Sequence, residues 1–268
     1  MSHRLARLLA ALALVSLAVP ALAEPGLRLS WDHCAADGRV ANKAFACNTN
    51  AGSDQLVASF ESPVGMPDCV GLEPTLHIQS SNDVLPPWWN FAPSACRTSG
   101  LGYEYSPAAA GGCAYAYHPN VSGGAAGDLA GRNGPGSLVV RSGVWARIDE
   151  PFAILPGTEY FAFTFLIRHS KTVGSNTCSG CSVPVCLGFG SLVMRGRESA
   201  DVYLHPDGVV PGGGDLTVTW QGAYVQDYWS YREPGVGEVA ERATLTCHPD
   251  QSVSARRPTW GTIKSLYR

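Results

Sequence analysis

Nine cysteines run from Cys34 to Cys247, and none stands in the first thirty-three residues. Such thiols are kept reduced, given to a metal, or joined as disulfides, and the compartment decides which. Arg4 and Arg7 precede a short apolar run, Leu8 to Val19, and Ala21-Leu22-Ala23 has the small-x-small form that signal peptidase cuts. The run falls short of the about 20 residues needed to cross a bilayer. Residues 1–23 therefore read as a cleaved signal peptide, and residues 24–268 as one secreted or periplasmic domain with no membrane span. Disulfides are the expected state of its cysteines.

The chain carries 30 glycines and 19 prolines, with 15% charged residues. Helix interiors disfavour both residues and turns recruit them, which points to many short strands. Several segments alternate with the period of a half-buried strand. Leu27, Leu29 and Trp31 share a face, as do Leu216, Val218 and Trp220, and Ala243, Leu245 and Cys247. Over Glu159 to Arg168 the apolar residues occupy both faces, as in a central strand. Fainter strand patterns cover residues 56–61, 75–79, 137–141, 185–194 and 201–204. Ser106 to Gly136 reads as a long Gly-, Ala- and Pro-rich loop. Trp260, Ile263 and Tyr267 behind Thr259 suggest a short C-terminal helix. The expected fold is all-β, a disulfide-stapled β-sandwich with the jelly roll as one form it can take.

Cys34 and Cys47 flank one short polar segment, and Cys96 and Cys113 another, so both are candidate local pairs. Cys178-Ser179-Gly180-Cys181, with Cys186 close behind, is the densest chemical signal. As a redox dithiol it lacks the following helix that lowers a thiol pKa. As a zinc site it needs a fourth ligand, for which Cys247 or His248 is available. A structural staple is the favoured reading, which places Cys178, Cys181, Cys186 and Cys247 among the disulfides. Nine is odd, so one thiol stays free, joins two chains, or binds something else. His118, His205 and His248 each precede proline and read as turn residues. No blue-copper grouping of Cys, His and Met is present, and no metal or cofactor is expected.

The formal net charge is −3, and it becomes more negative once Arg4 and Arg7 leave with the signal. No basic run marks a nucleic-acid partner. Serine-hydrolase, zinc-protease, P-loop and EF-hand patterns are absent. Asp149, Glu150, Glu238 and Glu241 are the carboxylates considered for a glycosidase pair. Aromatic residues carry the clearest hint of binding. Pro86-Pro87-Trp88-Trp89-Asn90-Phe91 sets two tryptophans in a proline-braced loop, and Tyr228-Trp229-Ser230-Tyr231 sets three aromatics near a turn. Rings held on rigid loops can stack on sugars; the competing reading is that they close the ends of the core.

Trp31-Asp32-His33-Cys34, Phe45-Ala46-Cys47-Asn48-Thr49-Asn50, Cys178-x-x-Cys181-x-x-Pro184-Val185-Cys186 and the closing stretch Thr259 to Arg268 resemble motifs of a family of exported cysteine-rich bacterial proteins. The resemblance implies export and lends no activity and no binding residues. The expected function is a non-catalytic binding module for carbohydrate or another surface macromolecule, with Trp88, Trp89, Tyr228, Trp229 and Tyr231 as contacts. The alternatives are an exported polysaccharide hydrolase and a structural component of the cell surface.

Overall fold

The computed structural model describes residues 26–117, 121–130, 136–206, 209–232 and 241–249. The expected signal segment and the expected C-terminal helix lie outside them. The described chain is mainly β, and its helical pieces are three 3₁₀ turns, at Ala35–Asp37, Pro107–Ala109 and Gly214–Leu216. In order, the strands are β1 (Gly26–Trp31), β2 (Asn42–Lys43), β3 (Ser53–Glu61), β4 (Met66–Ser80), β5 (Leu101–Glu104), β6 (Ser122–Ala130), β7 (Ser137–Trp145) and β8 (Phe152–Ile154). There follow β9 (Glu159–Arg168), β10 (Val185–Gly196), β11 (Val202–Leu204), β12 (Val210–Pro211), β13 (Thr217–Trp220), β14 (Ala223–Arg232) and β15 (Glu241–Pro249).

These strands form three sheets. The first runs β1-β3-β9-β5, and the largest runs β2-β13-β10-β4-β7-β6, with β11 on β10 and β8 on β4. The smallest runs β12-β14-β15. Every strand pair is antiparallel except β2 with β13. The expected central strand, β9, does lie inside its sheet, between β3 and β5. One buried cluster draws Leu29, Leu56, Phe163 and Phe165 from the first sheet and Leu76, Ile78, Leu187 and Met194 from the largest. A second, smaller cluster joins Cys186 to Tyr228, Leu245 and Cys247 of the smallest sheet.

Two expectations about loops need correction. The segment around Tyr228 is strand β14, because its alternating residues pair along β15 and one face packs on β10. Part of the supposed loop Ser106 to Gly136 is strand β6, which pairs β7.

The disulfides join the eight cysteines expected, but not in the local pairs. Cys34 bonds Cys113, Cys47 bonds Cys181, Cys96 bonds Cys178 and Cys186 bonds Cys247. Nearness along the chain does not decide pairing; the sheets carry Cys34 to the loop after β5 and Cys47 to the loop before β10. Cross-links spanning 61 to 134 residues restrict the unfolded chain strongly, by about 4–5 kcal/mol each in a chain-entropy estimate. Cys178 and Cys181 bond different partners, so the motif is neither a redox dithiol nor a zinc knuckle. It is a clamp: the Trp88 amide donates to the Ser179 carbonyl at 2.9 Å, and Gly180 turns at φ +98° beneath Pro86.

The unpaired cysteine is Cys69, fully buried in the main cluster. Burial pushes its thiol up to about 12. A buried, protonated thiol has no access to a partner chain and does not join two chains, which removes that route to assembly.

Candidate functional site

The tryptophans of the proline-braced loop are structural. Trp88 and Trp89 are 0% exposed. Their ring centroids lie 5.2 Å apart, and both rings pack on Trp220, at 5.5 and 5.4 Å. The Trp88 indole N–H donates to Thr172 Oγ1 at 2.9 Å, and the Arg97 guanidinium lies 3.6 Å from the centre of the Trp88 ring. Arg97 also donates to the Trp88 carbonyl at 2.7 Å. The loop is thus a plug for one end of the core, held by the Cys96–Cys178 and Cys47–Cys181 bonds. Tyr228 is buried too, but in the smaller cluster, against Gly188 and His77. Trp229 beside it is half-buried, and the side chain of Tyr231 lies outside the described residues. Trp88, Trp89 and Tyr228 therefore offer no shared exposed platform, because their apolar area is consumed in packing two separate clusters.

An exposed aromatic platform does exist elsewhere, on the largest sheet. Alternate residues of its strands, Leu72, Leu76 and Ile78 on β4, Val140 and Val144 on β7, and Leu187 and Met194 on β10, enter the core. The opposite face carries Gly71, Glu73 and Thr75, then Trp145, Gly143 and Arg141, then Arg195, Val193 and Ser191, since directly paired residues share a side. At one end of this face the smallest sheet is fastened by Cys186–Cys247, and Tyr228 fills the space over Gly188. Among the described residues, no strand covers the other end.

Trp145 dominates the open end, at 41% exposed. A Cβ on Gly143 would stand 2.1 Å from its Cη2, and one on Gly71 would stand 2.8 Å from its Cδ1. The indole therefore lies across the sheet, over two positions that have no side chains. Its inner face rests on backbone and its outer face meets solvent. This is the geometry on which a sugar ring stacks, with the C–H groups of the sugar over the π-face.

A hydrogen-bonding group lies next to it. Arg195, directly across Gly71 from Trp145, forks onto Glu73 through Nε at 2.9 Å and Nη2 at 2.6 Å. Its Nη1 donates to Asp201 at 2.6 Å. These bonds to Glu73 and Asp201 raise the guanidinium pKa further above its ordinary value. The three side chains remain about one-third exposed, so carboxylate lone pairs held by the guanidinium still face solvent as acceptors for hydroxyls. On the far side, Tyr203 of β11 pairs Val193 and is 43% exposed. Trp145 and Tyr203 thus border a polar centre across β7, β4, β10 and β11. No expectation from the sequence named Trp145, Tyr203 or this triad. The spacing Gly143-x-Trp145 was a local signal, since residues two apart on a strand share a face.

His169 directs Nε2 to Asp54 at 2.8 Å and Nδ1 to the Ala51 carbonyl at 2.8 Å, and stacks on Phe45 at 3.8 Å. With both nitrogens engaged, the ring has none directed at a nucleophile, so it serves to tie β3 to the end of β9. Asp149 is exposed and paired with Arg147 at 3.1 Å, Glu238 lies outside the described residues, and nothing is described of the Glu241 side chain. Among the described residues, the grouping with metal-ligand spacing is Cys34, Cys113 and Glu159, two of which are bonded to each other. An open cleft of about 1160 Å³ lies beside β1 and β11, lined in part by Leu27, Ala36, Arg39, Tyr203 and Leu204.

No family model, curated protein or solved structure matches the chain. Among the described residues no helix is long and apolar enough to cross a membrane. Four disulfides fit an oxidising compartment.

Proposed function

We propose that the protein is an exported, non-catalytic carbohydrate-binding module, a single β-sandwich of residues 24–268 once residues 1–23 are removed. In this reading the two larger sheets are the layers of the sandwich, and the open outer face of the larger one meets the ligand. The observation that carries the proposal is Trp145 laid flat on Gly71 and Gly143 with its outer face bare. An exposed tryptophan normally costs solubility and rotamer freedom; here the bare backbone under the ring pre-sets its orientation, which lowers the entropy cost of stacking. The Glu73–Arg195–Asp201 group supplies directional bonds beside it.

The test is binding to immobilised polysaccharides by the wild-type chain and by Trp145→Ala. The expected result is retention of the wild-type protein and its loss in the variant, with an unchanged melting temperature. Equal retention of both proteins, or of neither, removes the proposal.

A further inference from the structure

The open face and the cleft beside β1 meet at one residue. Tyr203 stands on the face, in register with Val193 and Glu73, and also lines the cleft. A ligand stacked on Trp145 and crossing the Arg195 group therefore reaches the cleft without leaving the surface. We infer that the face and the cleft are one continuous site for a linear, flat, uncharged glycan of the β-1,4-linked kind, running across the strands from Trp145 over Tyr203. This rests on the reading given under Proposed function and adds the shape, length and charge of the ligand.

Shape follows from the indole. Because the ring lies along the sheet, a stacked pyranose lies along it too. Successive rings stay in that plane only in a ribbon-like chain, which diequatorial β-1,4 linkage produces. Length follows from the register. β7, β4, β10 and β11 are neighbours in that order, so Trp145 and Tyr203 are separated by three strand spacings, roughly 14 Å, or about three sugar rings. The cleft adds room for more. Its wall at Leu27, Leu204 and Leu216 is apolar, and Arg39 and Asp215 pair at its rim at 3.6 Å.

Charge follows from the pairing. Arg195 is held between Glu73 and Asp201, and Arg147 near Trp145 is held by Asp149. These cations are matched inside the protein, so an anionic polymer gains no net attraction, while hydroxyls find acceptors and donors already oriented.

Calorimetric titration with cellobiose and cellohexaose tests this. The wild-type chain should bind the hexaose at least roughly tenfold more tightly than the biose. Ala36→Trp, at an exposed position lining the cleft, should weaken binding of the hexaose and leave the biose unchanged. Tyr203→Ala should do the same without filling anything. A sulfated cellulose should bind no better than the neutral chain. Equal affinity for both lengths, indifference to both variants, or preference for the sulfated chain overturns the continuous site while leaving the Trp145 platform in place. Failure of the wild-type chain to bind either sugar overturns the β-1,4 continuous site, and the Trp145 platform falls with it only if the immobilised polysaccharides also fail to retain the wild-type chain.

Discussion

The six-membered ring of Trp145 occupies the volume that a side chain at Gly143 would need, its Cη2 lying 2.1 Å from where that Cβ would stand. The two residues share one face of β7, so the glycine acts as a seat for the ring. Gly143→Ala should push the indole off the sheet. Affinity for glycan should fall roughly fivefold, the effect of losing a stacking contact of about 1 kcal/mol, with little change in melting temperature. Unaltered affinity would show that the ring works in any orientation and that the seat is incidental.

Gly180 makes a different demand. It sits at φ +98°, and a Cβ there would lie 2.3 Å from Cβ of Pro86. Both the backbone conformation and the contact exclude a side chain, so Gly180→Ala should cost about 1–3 kcal/mol and lower the midpoint of denaturant unfolding. Because the strain falls on the clamp over Trp88, near-ultraviolet circular dichroism from the tryptophan cluster should change as well. An unshifted midpoint would mean that the Cys178–Cys181 turn is not the brace described.

Asp68 anchors the turn after β10. Its Oδ2 accepts the amides of Glu198 at 2.7 Å and Ser199 at 2.9 Å. The Ser199 hydroxyl first, and then these amides, lower its pKa to about 2. A carboxyl lowered on folding stabilises the native state above its ordinary range and loses that contribution as pH falls toward the folded value. The turn should therefore hold until the pH drops from about 3.8 to about 2. Amide chemical shifts of Glu198 and Ser199 in the native protein should titrate with a midpoint near 2, and Asp68→Asn should abolish the titration.

Cys69 has the opposite sign. Burial raises its pKa from 9.0 to about 12, so the unfolded thiol ionises first. Its contribution to stability is complete below pH 9 and is lost as pH climbs toward 12. At pH 8 iodoacetamide should leave the native protein unlabelled and label one cysteine in denaturant without reductant. Rapid labelling of the native chain would place Cys69 outside the core.

The sequence disclosed most strands because alternation is local: β1, β9, β13 and β15 are legible in their own residues. β14 was hidden by its aromatic content, which reads as an exposed loop when its neighbours are unknown. The same property misdirected the choice of contacts. Trp88, Trp89 and Tyr228 look like display residues in a Pro- and Gly-rich setting, yet ring area is also what closes a core. Trp145 was harder to find, since half its seat is Gly71, more than seventy positions away, and only the register of β4 with β7 brings them together. Cysteine content disclosed that bonds form; the route of the strands determines between which partners.

Three of the four cross-links skip over other cysteines along the chain; Cys186–Cys247 alone joins neighbours. An oxidase meeting thiols in the order they emerge would first offer Cys34 the wrong mate, Cys47. Maturation therefore requires that the sheets assemble before oxidation is complete, or that an isomerase reshuffle the early bonds. Yield in a host stripped of disulfide isomerase should reveal which of the two routes this topology imposes.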